Sequence, residues 1–118
     1  MTTSLMRLSL TLLLIMLVTS EISDGEFQEW CIADEQSLDE DLQAALDWAC
    51  GKGGSDCSKI QFNQSCYIPN TLIDHASYAF NNYFQKFKHN GGSCYFKGAA
   101  ITTEVDPSSR GCQFEYLP

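Results

Sequence analysis

The chain has 118 residues, with fifteen Asp and Glu against seven Lys and Arg, a formal net charge of −8, and six cysteines. So acidic a surface disfavours nucleic acid and anionic membranes as partners. The length holds one small domain and excludes a large enclosed core.

Arg7 followed by eleven mostly apolar residues, 8–18, has the form of a secretory signal, and the run is too short to span a bilayer. We assign residues 1–20 to a signal peptide, residues 21–29 to a flexible lead-in and residues 30–116 to one folded domain. Cleavage after Ser20 leaves 98 residues and, because Arg7 departs, a net charge of −9. A domain of that size buries only roughly 60 to 65% of its unfolded surface and needs covalent staples. Cys31, Cys50, Cys57, Cys66, Cys94 and Cys112 supply them: an even count in a short secreted chain implies three disulfides. A zinc site is not expected, since no closely spaced cysteine pair is present and only His75 and His89 are available.

Ser37 and Glu40 form a capping box ahead of an apolar run, Leu38, Leu42, Ala45, Leu46 and Ala49, which predicts a helix over about residues 38–50 with Gly51 as its stop. Asp39, Glu40 and Asp41 fall in its first turn and serve the helix dipole. The glycine-rich connector 51–56 lacks a phosphate-loop pattern, and the short span from Cys50 to Cys57 allows a local bridge. Asn63-Gln-Ser65 is a glycosylation sequon on a loop before Cys66.

Pro69 marks a turn, and Thr71 with Asp74 makes a second capping box for a helix ending near Phe87. One face carries Leu72, Ile73, Ala76, Ala79, Phe80, Tyr83, Phe84 and Phe87 at core-facing spacing. Asp74, Tyr78, Asn82 and Gln85 fall on the opposite side, with His75 and Asn81 beside them. An exposed tyrosine among carboxylate and amide groups suits a neutral, hydroxyl-rich ligand. Tyr78, Asp74, Asn82, Gln85 and Asn81 are therefore the candidate ligand-binding residues. Short strands are predicted over 93–96, 99–103 and 111–116, separated by Gly98 and Asp106-Pro-Ser108. The fold class expected is α+β: a small disulfide-stapled domain with two main helices and a short antiparallel sheet. Six residues follow Cys112 without a Ser-rich spacer or apolar tail, so a freely secreted chain without a membrane anchor is expected.

The ordered segments Trp30-Cys-Ile-Ala33, Leu46-Asp-Trp-Ala-Cys-Gly51, Cys66-Tyr-Ile-Pro-Asn-Thr71, His75-Ala-Ser-Tyr-Ala-Phe-Asn81 and Gly111-Cys-Gln-Phe114 resemble the plant X8 domain, carbohydrate-binding module family 43. The resemblance covers about residues 30–115 and implies a β-1,3-glucan ligand of the callose or laminarin kind. It is strongest to small secreted proteins of the olive-pollen allergen type, and a glucanase or another wall protein is an implied partner. It also implies bridges of Cys31 with Cys94, Cys50 with Cys57, and Cys66 with Cys112. Trp48 stands where the family more often has Tyr or Phe, and Phe84 where a second Tyr is common. Trp30 is expected to be buried over a disulfide and Tyr67 to be structural; Trp48, at the edge of its helix's apolar stripe, is either a packing residue, the reading favoured, or part of a sugar platform.

A non-catalytic, monomeric, cofactor-free glucan binder of the cell wall is the resulting expectation. An accessory or protein-interaction module of the same fold is the alternative. A small glycoside hydrolase is less favoured, because no pair of acids is singled out by context and a small stapled domain has little means of raising an acid's pKa by burial.

Overall fold

The structure, a computed structural model, describes residues 27–118. The expected signal peptide, residues 1–20, and residues 21–26 of the expected lead-in lie outside the described residues. In chain order come strand β1 (Trp30–Ala33), helix α1 (Asp39–Cys50), helix α2 (Leu72–Phe87) and strand β2 (Ala100–Thr103). β1 and β2 pair antiparallel, Trp30 opposite Thr103 and Ala33 opposite Ala100. The α+β architecture with two helices and a short sheet is as expected, but the strands differ.

β1 had not been assigned as a strand, and it pairs across the whole domain with the middle of the three predicted strands. Residues 93–96 form none: Phe96 and Lys97 hold left-handed backbone, φ 45° and 53°, which breaks an extended run. Residues 111–116 contribute a single bridge, Ser109 with Cys112. Beyond it the chain bonds to side chains instead. Phe114 N–H donates to Ser108 Oγ, Glu115 C=O accepts from Asn81, and Leu117 N–H donates to Gln85.

Helix α1 starts without the predicted box. Leu38 is its N-cap and no side chain caps it. Ser37 N–H instead closes a turn on Asp34 C=O, 3.0 Å away. Gly51 ends the helix as expected, donating its N–H to Asp47 and Trp48 carbonyls. Helix α2 does use its box: Asp74 N–H donates to Thr71 Oγ1 at 3.1 Å, while the Thr71 hydroxyl donates to the Asp74 carboxylate. The chain leaves the short turn Lys88–Asn90 through Gly91 at φ 88°, a conformation open to glycine at little cost.

Helix α2 lies between two apolar clusters. Phe80, Ala76 and Ala79 pack with Leu42 and Ala49 of α1 and with Cys31 and Ala33 of β1. On its other side Tyr78 packs with Trp30, Ile60, Phe114 and the Cys66 and Cys112 pair. Trp30 is buried, as expected. The three bridges are those the resemblance implied: Cys31–Cys94, Cys50–Cys57 and Cys66–Cys112. The first and last close loops of 63 and 46 residues and, on chain-entropy grounds, contribute about 3 to 5 kcal/mol each.

Because α2 is enclosed on both sides, its polar residues meet backbone rather than water. Ser77 Oγ accepts from Ala33 N–H at 2.9 Å, and Asn81 Oδ1 accepts from Cys31 N–H at 3.2 Å. Asn81 Nδ2 donates to Glu115 C=O at 2.8 Å, and Gln85 Nε2 donates to Glu29 C=O at 2.8 Å. Asn82 Oδ1 takes the N–H of Asp56 at 2.7 Å. Replacing Asn81 by Ala strands a buried N–H and C=O together, so Asn81→Ala should destabilise the oxidised domain by about 2 to 4 kcal/mol. Urea unfolding with the disulfides intact measures it, and a loss near zero would show that water takes over those partners.

Candidate functional site

The residues expected to meet a ligand form a different kind of structure. Tyr78 is 3% exposed, Asn81 1%, Asn82 5% and Gln85 2%. The expectation of an exposed ring at Tyr78 is therefore corrected: the phenol ring meets Phe114 edge-on at 5.4 Å, inside the second cluster. The amides beside it are occupied by backbone groups of β1, the 55–56 loop and the C-terminal segment. Asp74 is exposed, with its carboxylate held by Thr71. Asp74 and Tyr78 share a small cavity of about 230 Å³ with Ile68, Pro69 and Pro107. His75 is half-buried, with Nε2 on the Tyr67 carbonyl at 2.7 Å.

A larger open groove of about 740 Å³ lies on the far side, between α1 and the 93–97 segment. Trp48 from α1, Tyr83 from α2 and the adjacent Tyr95 and Phe96 line it. The Trp48 ring meets Tyr83 at 5.2 Å and Phe96 at 6.0 Å, both edge-on, while Tyr83 and Phe96 are 5.4 Å apart. Trp48 remains 44% exposed and Tyr95 69%. Trp48 packs, as favoured, and it also presents surface.

Local sequence explains why these rings stand where they do. Gly53 presses against Trp48, where a Cβ would come within 2.8 Å of Cζ3, so only glycine lets the connector back the indole. The Cys50–Cys57 bridge closes that connector. Phe96 stacks on buried Phe80 at 4.2 Å, which helps to offset the left-handed backbone at Phe96 and Lys97, a strain of order 1 to 3 kcal/mol per residue. Strain of this kind clusters at ligand sites. Asp41, Ser93 and Lys97 supply polar groups around the rings.

Flat rings with hydroxyl, ammonium and carboxylate groups nearby suit a ligand with apolar C–H faces and hydroxyl edges. Asp41 is the single carboxylate among the lining residues, whereas glycoside cleavage ordinarily needs two. Among the described residues there is no group of three or more His, Cys, Asp or Glu placed to hold a metal. Tyr95 and Phe96 are not among the residues expected at a site, since a strand over 93–96 would not bring them together on one surface. Adjacent rings between Cys94 and a Lys-Gly pair were the available signal, since a strand sends neighbours to opposite faces.

Residues 29–101 match the X8 domain. The chain is 52% identical over 92 residues to glucan endo-1,3-beta-glucosidase 1 of Arabidopsis thaliana, covering 78% of this chain and 18% of that protein. It is 39% identical over 87 residues to the major pollen allergen Ole e 10 of Olea europaea, covering 74% of this chain and 71% of that one. It is also 39% identical over 102 residues to plasmodesmata callose-binding protein 1 of Arabidopsis thaliana, covering 86% and 50%. The chain thus spans under a fifth of the glucosidase's length. No solved structure matches it.

Burial, and secondarily the carboxylates of Glu115 and Asp56, push the Tyr78 phenol up to about 12 from its ordinary value of 10.0. Folding favours the neutral phenol, so this contribution to stability is complete below pH about 10 and is lost as pH rises through about 12. An ultraviolet titration of the five tyrosines should show one late step that Tyr78→Phe removes. Persistence of that step in the variant would place the buried phenol elsewhere.

Proposed function

This chain belongs to the X8 domain family, and we propose that it is a secreted, non-catalytic, monomeric module that holds a β-1,3-glucan chain along the groove of Trp48, Tyr83, Tyr95 and Phe96. The observation that carries this reading is the backed, part-exposed indole of Trp48, which lines one groove together with the exposed Tyr95. A sugar ring laid on either aromatic presents its C–H face to π density and its hydroxyls to Asp41, Ser93 and Lys97. The names of two relatives, a glucan endo-1,3-beta-glucosidase and a callose-binding protein, supply the ligand class. Export rests on Arg7 and the apolar run behind it, and no helix among the described residues is long and apolar enough to cross a membrane.

Tyr78, Asn81, Asn82 and Gln85 take a positioning role here: they hold α2, and with it Tyr83, against the strand and the C-terminal segment. A few stacked rings on a neutral sugar give roughly micromolar to millimolar affinity, about −8 to −4 kcal/mol. Titration with laminarin oligosaccharides, followed by tryptophan fluorescence and backbone amide shifts, tests the assignment. Tyr95→Ala should weaken binding about tenfold or more, roughly 1.4 kcal/mol, with the melting temperature unchanged. Trp48→Ala should weaken it further at some cost in stability, and Tyr78→Phe should leave it intact. Shifts centred on the Asp74 and Tyr78 cavity, with Tyr95→Ala binding normally, would move the site there. Equal binding of cellulose oligosaccharides would count against β-1,3 selectivity.

A further inference from the structure

Away from the groove, a second group of rings stands in the open. Phe62 is 80% exposed, meets Tyr67 edge-on at 5.5 Å, and Tyr67 in turn leans on His75 at 5.5 Å. Ile68, next in the chain, is 71% exposed. None of these residues lines the groove. An exposed phenylalanine supported by a second ring is a costly feature for a small secreted domain, since it keeps an apolar patch in water.

The residue that follows Phe62 is Asn63, the first of the sequon Asn63-Gln-Ser65. The loop that carries it runs between two buried anchors, Ile60 and Cys66, and every residue from 61 to 65 is exposed. Asn63 itself stands at the turn in left-handed backbone, φ 66°, which asparagine tolerates better than most residues. The loop is fixed at its base, where Cys66 N–H donates to Lys59 C=O at 2.8 Å and Gln64 N–H to Gln61 C=O at 3.0 Å. The sequon and the open ring are thus neighbours on one loop tied at its base.

We propose that Asn63 carries an N-linked glycan whose first N-acetylhexosamine lies on the Phe62 and Tyr67 rings and covers them. The donor is a lipid diphosphate-linked oligosaccharide met during export. Asn63 Nδ2 forms a bond to the anomeric carbon, the anomeric C–O bond to the diphosphate breaks, the lipid diphosphate leaves and the amide gives up one proton. The first sugar is attached one residue from Phe62, so its C–H face reaches the ring without ordering any further chain. This inference rests on the export proposed above and is independent of the glucan groove.

The full chain is expressed in plant cells and taken from the culture medium, so that export is given in every arm. Peptide mapping should find a glycan on Asn63. The acetyl methyl protons of the first sugar should be shifted upfield by ring current, and Phe62→Ala should abolish that shift. The glycosylated protein should melt higher than Ser65→Ala, which loses the sequon but keeps Asn63, and that difference should vanish when both proteins also carry Phe62→Ala. Laminarin affinity should be the same with and without the glycan. An unmodified Asn63 in the secreted protein overturns the proposal, as does a glycan whose acetyl protons resonate as in free sugar. A melting difference that survives Phe62→Ala overturns the stacking contact.

Discussion

Everything in this domain hangs on the short polar side chains of α2. Ser77, Asn81, Asn82 and Gln85 take up backbone groups from β1, the segment before it, the 55–56 connector and the C-terminal segment. A two-stranded sheet of four residues per strand cannot satisfy its outer edge alone. Here the helix supplies what a third strand would have given. An amide is suited to this because it donates and accepts at once: Asn81 binds Cys31 N–H, Glu115 C=O and Gln85 together. Left without partners, each of those buried groups would cost about 1 to 3 kcal/mol.

That arrangement divides the aromatic residues of the chain into two populations. Phe80, Tyr78, Phe114 and Trp30 are enclosed, on one side or the other of α2. Trp48, Tyr95 and Phe62 stay open, part or most of each ring lying on the outer surface. Tyr83 and Phe96 link the populations, each touching Trp48 on the outside while Phe96 stacks on Phe80 within. The groove is therefore an extension of the core packing rather than an addition to it.

The limits of legibility follow from the same physics. The Thr71 and Asp74 cap and the 3.6-residue apolar spacing defined α2 from sequence, because both signals are local. Which side of α2 meets solvent was not local. Tyr78, Asn81, Asn82 and Gln85 have the composition of a solvated face, and it is segments distant in the chain, β1 with the residue before it, the 55–56 connector and the returning C-terminal segment, that make it interior. Their chemistry held the clue, since a solvated helix face would more often carry Lys and Glu than neutral amides. β1 was illegible for a related reason: Trp30 pairs with Thr103, and four residues carry too little pattern to announce a partner so distant. The disulfide pairing came from family resemblance, for spacing alone left all but the Cys50 and Cys57 bridge open.

The glycine at position 53 has a bearing on affinity as well as on packing. With the connector against one side of the indole and Tyr83 and Phe96 set edge-on to it, the platform is preorganised before any sugar arrives. Little rotamer entropy would then be lost by the protein on association, and the ordering cost would fall chiefly on the ligand. A ligand that already holds a complementary shape in solution would then dock at such a surface with less loss of freedom than a flexible one.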